Sequence, residues 1–193
     1  MKYPQRLLLA AALACSLSSF AQLKSPANAS FRSDIQKLVE DYPHGFATYR
    51  GATLEKNPQT TEYASKLTPS GAKGASITQY SAGARPVYSF QATMLETEEF
   101  EEASRKYKWL YTQLKGMNVR YVVDQYTLQG RYEAPDESKG FSTSTLTIFG
   151  PPSPLRKLKV EVSMQFEFPN WKVGLAVFEK EREDEEKGAE TDQ

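Results

Sequence analysis

The chain has 193 residues, about one domain's worth, and its 24 Lys+Arg are matched by 24 Asp+Glu, with one His, one Cys, 39% hydrophobic and 12% aromatic residues. Such a composition is that of a globular chain and excludes a collagen-like, disulfide-stapled or fully disordered one. The only long apolar run lies within the first two dozen residues, which also excludes a multi-span membrane protein.

The N-terminus reads as an export signal. Lys2 and Arg6 make a positive segment, Leu7 to Leu13 an apolar one, and Ser16-Leu17-Ser18-Ser19 a polar one, the order of a secretory leader. Ser19 and Ala21 put small residues three and one positions before a cut. The pattern therefore predicts a signal peptide over 1–21, cleaved between Ala21 and Gln22, and a periplasmic or secreted protein. The apolar run is too short to cross a bilayer core of about 30 Å, so no transmembrane segment is expected in the mature chain. Ala12-Leu13-Ala14-Cys15 offers an alternative. It partly matches a bacterial lipobox, which would lipidate Cys15 and anchor an envelope lipoprotein, although Ala12 stands where that pattern prefers Leu. Either way the remaining domain has no cysteine, so no disulfide braces it in an oxidising compartment. About 150 residues bury roughly two-thirds of their unfolded surface, enough for a core without staples.

Without the leader, residues 22–193 hold 22 basic and 24 acidic side chains. The last fifteen, Glu179 to Gln193, hold eight acids and three bases, leaving the body 22–178 at a net +3. That is too small and too dispersed for a nucleic-acid footprint. The acidic run has no apolar period and predicts a disordered tail over 181–193.

Residues 22–29 read as a linker. A first helix follows, with Ser30 as N-cap, Phe31, Ile35, Leu38 and Tyr42 on one stripe, and Pro43 as its stop. Four short strands come next, Phe46–Ala52, Glu62–Leu67, Ala75–Ser81 and Val87–Met94, separated by turn residues such as Asn57-Pro58, Pro69-Ser70-Gly71 and Gly83-Ala84-Arg85-Pro86. The spacing of Phe100, Ala103, Tyr107, Leu110 and Leu114 predicts a second helix, capped by Thr97 and ended by Gly116. Its glutamates crowd the first turns and its lysines the later ones, as the helix dipole favours.

Beyond it, Val119, Tyr121 and Val123 share one parity and Tyr126, Leu128 and Tyr132 the other, which calls for a bulge or break near Asp124-Gln125. Ala134–Gly140 reads as a loop, Phe141–Phe149 as a strand and Pro151-Pro152-Ser153-Pro154 as a stiff connection. Leu158, Val160, Val162, Met164, Phe166 and Phe168 then alternate with polar residues, and Val173, Leu175 and Val177 repeat the pattern after Pro169-Asn170. Because proline suits the primed two-residue turns poorly, a four-residue loop is expected, pairing Phe166 with Val173 and Met164 with Leu175, and Glu167 with Lys172 on the wet face. The result is one α+β domain over 30–180: a curved antiparallel sheet of seven or eight strands, two helices on one face, order αββββαββββ.

The chemistry open to such a chain is narrow. His44 is the only histidine, so any Ser-His-Asp arrangement must use it. It sits in a turn, Tyr42-Pro43-His44-Gly45, where histidines are usually solvated. Zinc sites of the His/Cys kind lack ligands. Glu161 and Glu167 share a strand face but stand about 20 Å apart by strand rise, against the roughly 5–9.5 Å of a glycosidase pair. The glutamates around 96–102 read as a solvated helix start, since no Asp-rich calcium loop accompanies them. Phosphate-cradling and nucleophile-elbow motifs are absent, and no metal or cofactor is expected. What stands out is tyrosine on the strands. The first four strands are expected to gather Tyr49, Tyr63, Tyr80 and Tyr88 with Arg50 and Arg85 at one end of the sheet, as an aromatic surface for a protein partner or small ligand.

Three segments carry a resemblance. Asp41-Tyr42-Pro43-His44-Gly45-Phe46, Asn57-Pro58-Gln59 with Tyr63-Ala64-Ser65-Lys66-Leu67, and Val87-Tyr88-Ser89-Phe90-Gln91-Ala92 resemble those of a group of small exported bacterial proteins of unknown function. The likeness extends over most of 30–180 and implies no activity or catalytic residue. The expectation for function is a non-catalytic exported envelope protein that binds a partner or ligand, with a carboxylate-dependent hydrolase as the alternative.

Overall fold

The computed structural model describes residues 26–81 and 85–179. Helix α1 (Pro26–Asp41) runs into a 3₁₀ turn at Tyr42–His44 and a four-strand meander, β1 (Arg50–Lys56), β2 (Thr60–Ser65), β3 (Gly74–Tyr80) and β4 (Val87–Thr97). Helix α2 (Phe100–Leu114) crosses to the far edge, and a second meander returns through β5 (Asn118–Tyr121), β6 (Asp124–Gly130), β7 (Phe141–Ile148), β8 (Leu158–Glu167) and β9 (Asn170–Glu179). All pairs are antiparallel, in the order β1-β2-β3-β4-β9-β8-β7-β6-β5. Each half is thus a helix followed by a meander, and the two halves join through their last strands. The expected α+β architecture is present, with both helices on one sheet face.

Side-chain period sets which face that is. In α1, Phe31, Ile35 and Leu38 are fully buried; in α2, so are Ala103, Tyr107, Leu110 and Leu114. They meet Phe90 and Met94 of β4, Val160, Val162 and Met164 of β8, and Val173, Leu175 and Val177 of β9, all with little or no exposure. The alternate residues of the same strands, among them Lys159, Glu161 and Gln165, face away from the helices and are at least partly solvated, as a one-sided antiparallel sheet requires. Inside the core the Tyr107 hydroxyl lies 2.7 Å from Ser144 Oγ, which also accepts the Glu133 N–H. Burial pushes the Tyr107 hydroxyl up to about 12. Gln36 of α1 closes the β5 edge, donating to Arg120 O and accepting from Arg120 N–H at 2.7 and 2.8 Å, so an edge strand that invites pairing is covered.

Several finer expectations are corrected. Residues 26–29, read as linker, begin α1, with Pro26 in the first turn where its missing N–H costs nothing. The first strand starts at Arg50 rather than Phe46, because Gly45 and Phe46 both adopt positive φ and turn the chain. At α2 the capping position is Glu99, and Thr97 acts two residues earlier, accepting from Glu99 N–H and donating to Glu102. The stretch counted as one strand with a bulge or break near Asp124-Gln125 is broken: it is a hairpin with Val122-Val123 at its tip and Tyr121 paired with Asp124. That reversal reconciles the two parities and raises the strand count to nine.

The last hairpin turns in two residues, Phe168-Pro169, around a cis peptide bond, the geometry of a type VI turn. Met164 therefore pairs with Val173 and Phe166 with Trp171, two residues off the expected register, a shift that preserves the parity of the strand residues from Leu158 to Met164. Lys172 still reaches Glu167, now diagonally. Phe166 and Phe168, expected under the helices, are 41% and 89% exposed, because the hairpin tip runs beyond the helical layer.

Candidate functional site

The expected tyrosine–arginine surface is not one patch. Tyr63 pairs with Ile77, and Tyr88 shares the parity of Phe90, so both lie on the helix side of the sheet. There the Arg50 guanidinium sits 4.7 Å from the Tyr88 ring centre and 5.8 Å from that of Tyr63, a cation–π sandwich. Its Nη1 donates to Tyr88 Oη at 3.3 Å, Tyr63 Oη donates to Gln79, and Arg50 Nε is buried without a partner among the described residues. Tyr80 is three residues from Ile77 and faces the opposite side. Tyr49 packs against the core beside α1, where burial and then the Asp41 carboxylate push its hydroxyl up. Of the six, Arg85 and Tyr88 line one cleft. Ala21, Gln22 and Cys15 lie outside the described residues, as does the acidic tail.

That cleft, about 630 Å³, follows from strand order. Ser89 pairs with Phe178 and Leu158 with Glu179, so the start of β4, the end of β9 and the start of β8 lie side by side. The loops entering β4 and β8 bring Arg85-Pro86 and Ser153-Pro154, then Arg156-Lys157, to one end of the sheet. The turn after α1, Tyr42-Pro43-His44-Gly45, completes the wall. Asp41, 8% exposed, fixes that turn by accepting the Thr48 N–H at 2.9 Å and the Thr48 hydroxyl at 3.0 Å. Gly45 has φ +61°, and a Cβ there would stand 2.6 Å from the Tyr88 ring. Only glycine allows both the turn and the close approach.

Electrostatically the cleft is rich in donors. Glu179 Oε1 is ion-paired with Arg85 and lies 3.8 Å from Lys157 Nζ, and its side chain is only 11% exposed. Arg156, on the same wall, has no carboxylate within ion-pair distance among the described residues. Burial, and then the Glu179 charge, hold the Tyr42 hydroxyl above the usual phenol range despite Arg85, so it stays an O–H.

The groups that sequence singled out for catalysis lie as follows. His44 Nδ1 is 3.7 Å from Asp41 Oδ1, beyond a hydrogen bond, and its side chain is 69% exposed. Both Asp41 oxygens already serve Thr48. Ser153 lies across the same cleft, yet a serine needs a desolvated, oriented base. Among the described residues, Glu179 is the one carboxylate lining the cleft; a trough on the open sheet face holds Glu161, and another beside Arg131 holds Glu133. Among those residues no two carboxylates share any of the three. Among the described residues no three His, Cys, Asp or Glu side chains gather as a metal site would require.

Sequence reasoning missed Tyr42, Arg156, Lys157 and Glu179. A local signal was present, since each wall segment sets a proline beside or near a base: Pro43-His44, Arg85-Pro86 and Pro154-Leu155-Arg156. Their convergence depends on β9 pairing between β4 and β8, which no local pattern reveals. No protein-family model matches the chain, nor does any curated protein or solved structure.

Proposed function

We propose that the chain is an exported, non-catalytic binding protein that receives a small ligand in the cleft between the α1 turn and the β4, β8 and β9 ends. The observation that carries this reading is the cleft itself. Its volume of about 630 Å³ falls in the range of small-molecule sites, and its lining combines aromatic and proline rings with a few polar groups. Two tyrosines and three prolines supply the rings, and Arg85, Arg156, Lys157 and Glu179 the polar groups. The solvated, loosely placed His44 and the isolation of each carboxylate support binding over turnover. Export rests on the order of charge and apolarity over residues 1–21.

Two measurements test it. In titrations of the mature chain with a panel of small molecules, followed by amide NMR, signals of Tyr42–Gly45, Arg85–Tyr88 and Arg156–Lys157 are expected to move saturably without product forming. Turnover abolished by His44→Ala or by removing one carboxylate would overturn the non-catalytic assignment. Intact-mass measurement of protein recovered from the host envelope should give a chain that begins at Gln22. A mass that includes residues 1–21 refutes export with cleavage, and a diacylglyceryl group on Cys15 makes the protein a lipoprotein instead.

A further inference from the structure

We infer that the cleft takes an aromatic oxyanion, a small flat ring carrying a phosphate or a carboxylate. This rests on the cleft being a ligand site and names the class of ligand.

Among the described lining residues, Arg85, Arg156 and Lys157 face a single carboxylate, Glu179, so their formal balance is two positive charges before His44 is counted. A cationic ligand meets repulsion there. A neutral polyol needs acceptors as well as donors, and the side chains of this wall offer mostly donors.

Glu179 is an oxyanion already seated between two of the cations, and both contacts fall on one oxygen, Oε1. The chain thus displays the chemistry these side chains hold. Arg85 carries five N–H donors and Lys157 three, so one carboxylate oxygen leaves most of their capacity unused. Arg156 adds a planar fork suited to bidentate recognition of carboxylate or phosphate. The Tyr42 hydroxyl, kept protonated by burial, is one more donor.

Tyr42, Tyr88, Pro43, Pro86 and Pro154, all flat and largely apolar rings, are among the residues that line the walls. Tyr88 cannot move toward the α1 turn because its ring is already against Gly45, and Arg50 stacks on it. A rigid aromatic wall beside a cluster of cations fits a ring bearing an anion better than it fits the anion alone.

The test is a titration of the mature full-length chain with phenyl phosphate and benzoate, set against benzyl alcohol, benzylamine and inorganic phosphate. Phenyl phosphate or benzoate is expected to move the cleft amides saturably and to bind at least about tenfold more tightly than benzyl alcohol, benzylamine or inorganic phosphate. The tighter of phenyl phosphate and benzoate identifies the anion. Arg156→Ala and the size-preserving Arg156→Gln should each weaken that binding about tenfold, because a charge-assisted pair is lost. Arg156 is exposed, and unchanged amide signals outside the cleft show that the fold is kept. Benzyl alcohol binding as tightly as phenyl phosphate, or full affinity in both Arg156 variants, overturns the anion class while leaving the cleft a ligand site. Inorganic phosphate binding as tightly as phenyl phosphate overturns the aromatic part. Cleft amides that none of the five compounds moves would overturn the oxyanion class; if the wider panel leaves them still as well, the ligand-site reading falls with it.

Discussion

Val160→Asp is expected to destabilise the domain by at least about 4 kcal/mol, whereas Gln165→Asp, five residues along the same strand, should stay within about 0.5 kcal/mol of the parent. Val160 is fully buried and pairs with Leu146 on β7 and Val177 on β9, both also fully buried. A carboxylate there meets only hydrocarbon. It must either keep its charge without a partner or take up a proton at a cost, and it forfeits the valine's packing in both cases. Gln165 points to the open face and is exposed. Since small domains are stable by only about 5–15 kcal/mol, the first change removes much of the total. It should lower the denaturant midpoint sharply and the melting temperature by roughly 10 °C. Equal midpoints for the two variants would show that the face of β8 turned toward the helices has been misassigned.

That experiment probes what alternation makes legible. A period of two tells which residues of a strand point inward, and β8 and β9 obey it from Leu158 to Met164 and from Trp171 to Val177. It does not tell how far one strand slides along the next, because a slide of two residues leaves every face unchanged. The register therefore depends on the turn, whose length of two residues, with Glu167 paired to Asn170, alternation does not announce. The β5–β6 hairpin was hidden for a related reason. Its tip is Val122-Val123, with Val122 at φ +57°, and neither residue belongs to the glycine, asparagine and aspartate set by which such turns are read. Only the conflict of parities on either side betrayed a break.

The site was less legible than the fold because its parts are far apart in sequence. Arg50, Tyr63 and Tyr88 do meet, but Arg50 is held between the rings rather than offered to a ligand. Tyr80 was lost to the other face by one residue of parity. The groups that line the cleft come from the α1 turn, the β4 and β8 entries and the last residue of β9. Each segment reads locally as a turn or a strand end, and only the β4-β9-β8 order makes them neighbours.

Gly45 is the point where fold and cleft meet, so Gly45→Ala should damage both. Left-handed backbone costs a residue with a Cβ about 1–2 kcal/mol. At Gly45 that Cβ would also stand 2.6 and 2.7 Å from Tyr88 Cδ2 and Cε2, and forcing side chains apart in packed surroundings adds about 1–3 kcal/mol. Gly116 separates the two contributions: it has φ +70°, and an added Cβ there meets nothing within 4 Å. Gly116→Ala should therefore carry the backbone cost alone, about 1–2 kcal/mol, and leave the cleft untouched. Gly45→Ala should exceed it by the steric part and shift the Tyr88 ring, which Arg50 braces from its own side. At a temperature where both variants are folded, Gly45→Ala should lose affinity for the cleft ligand while Gly116→Ala keeps it. Equal losses of stability with equal binding would mean that Tyr88 yields freely, and that the wall it forms is not the rigid surface on which recognition of a flat ring depends.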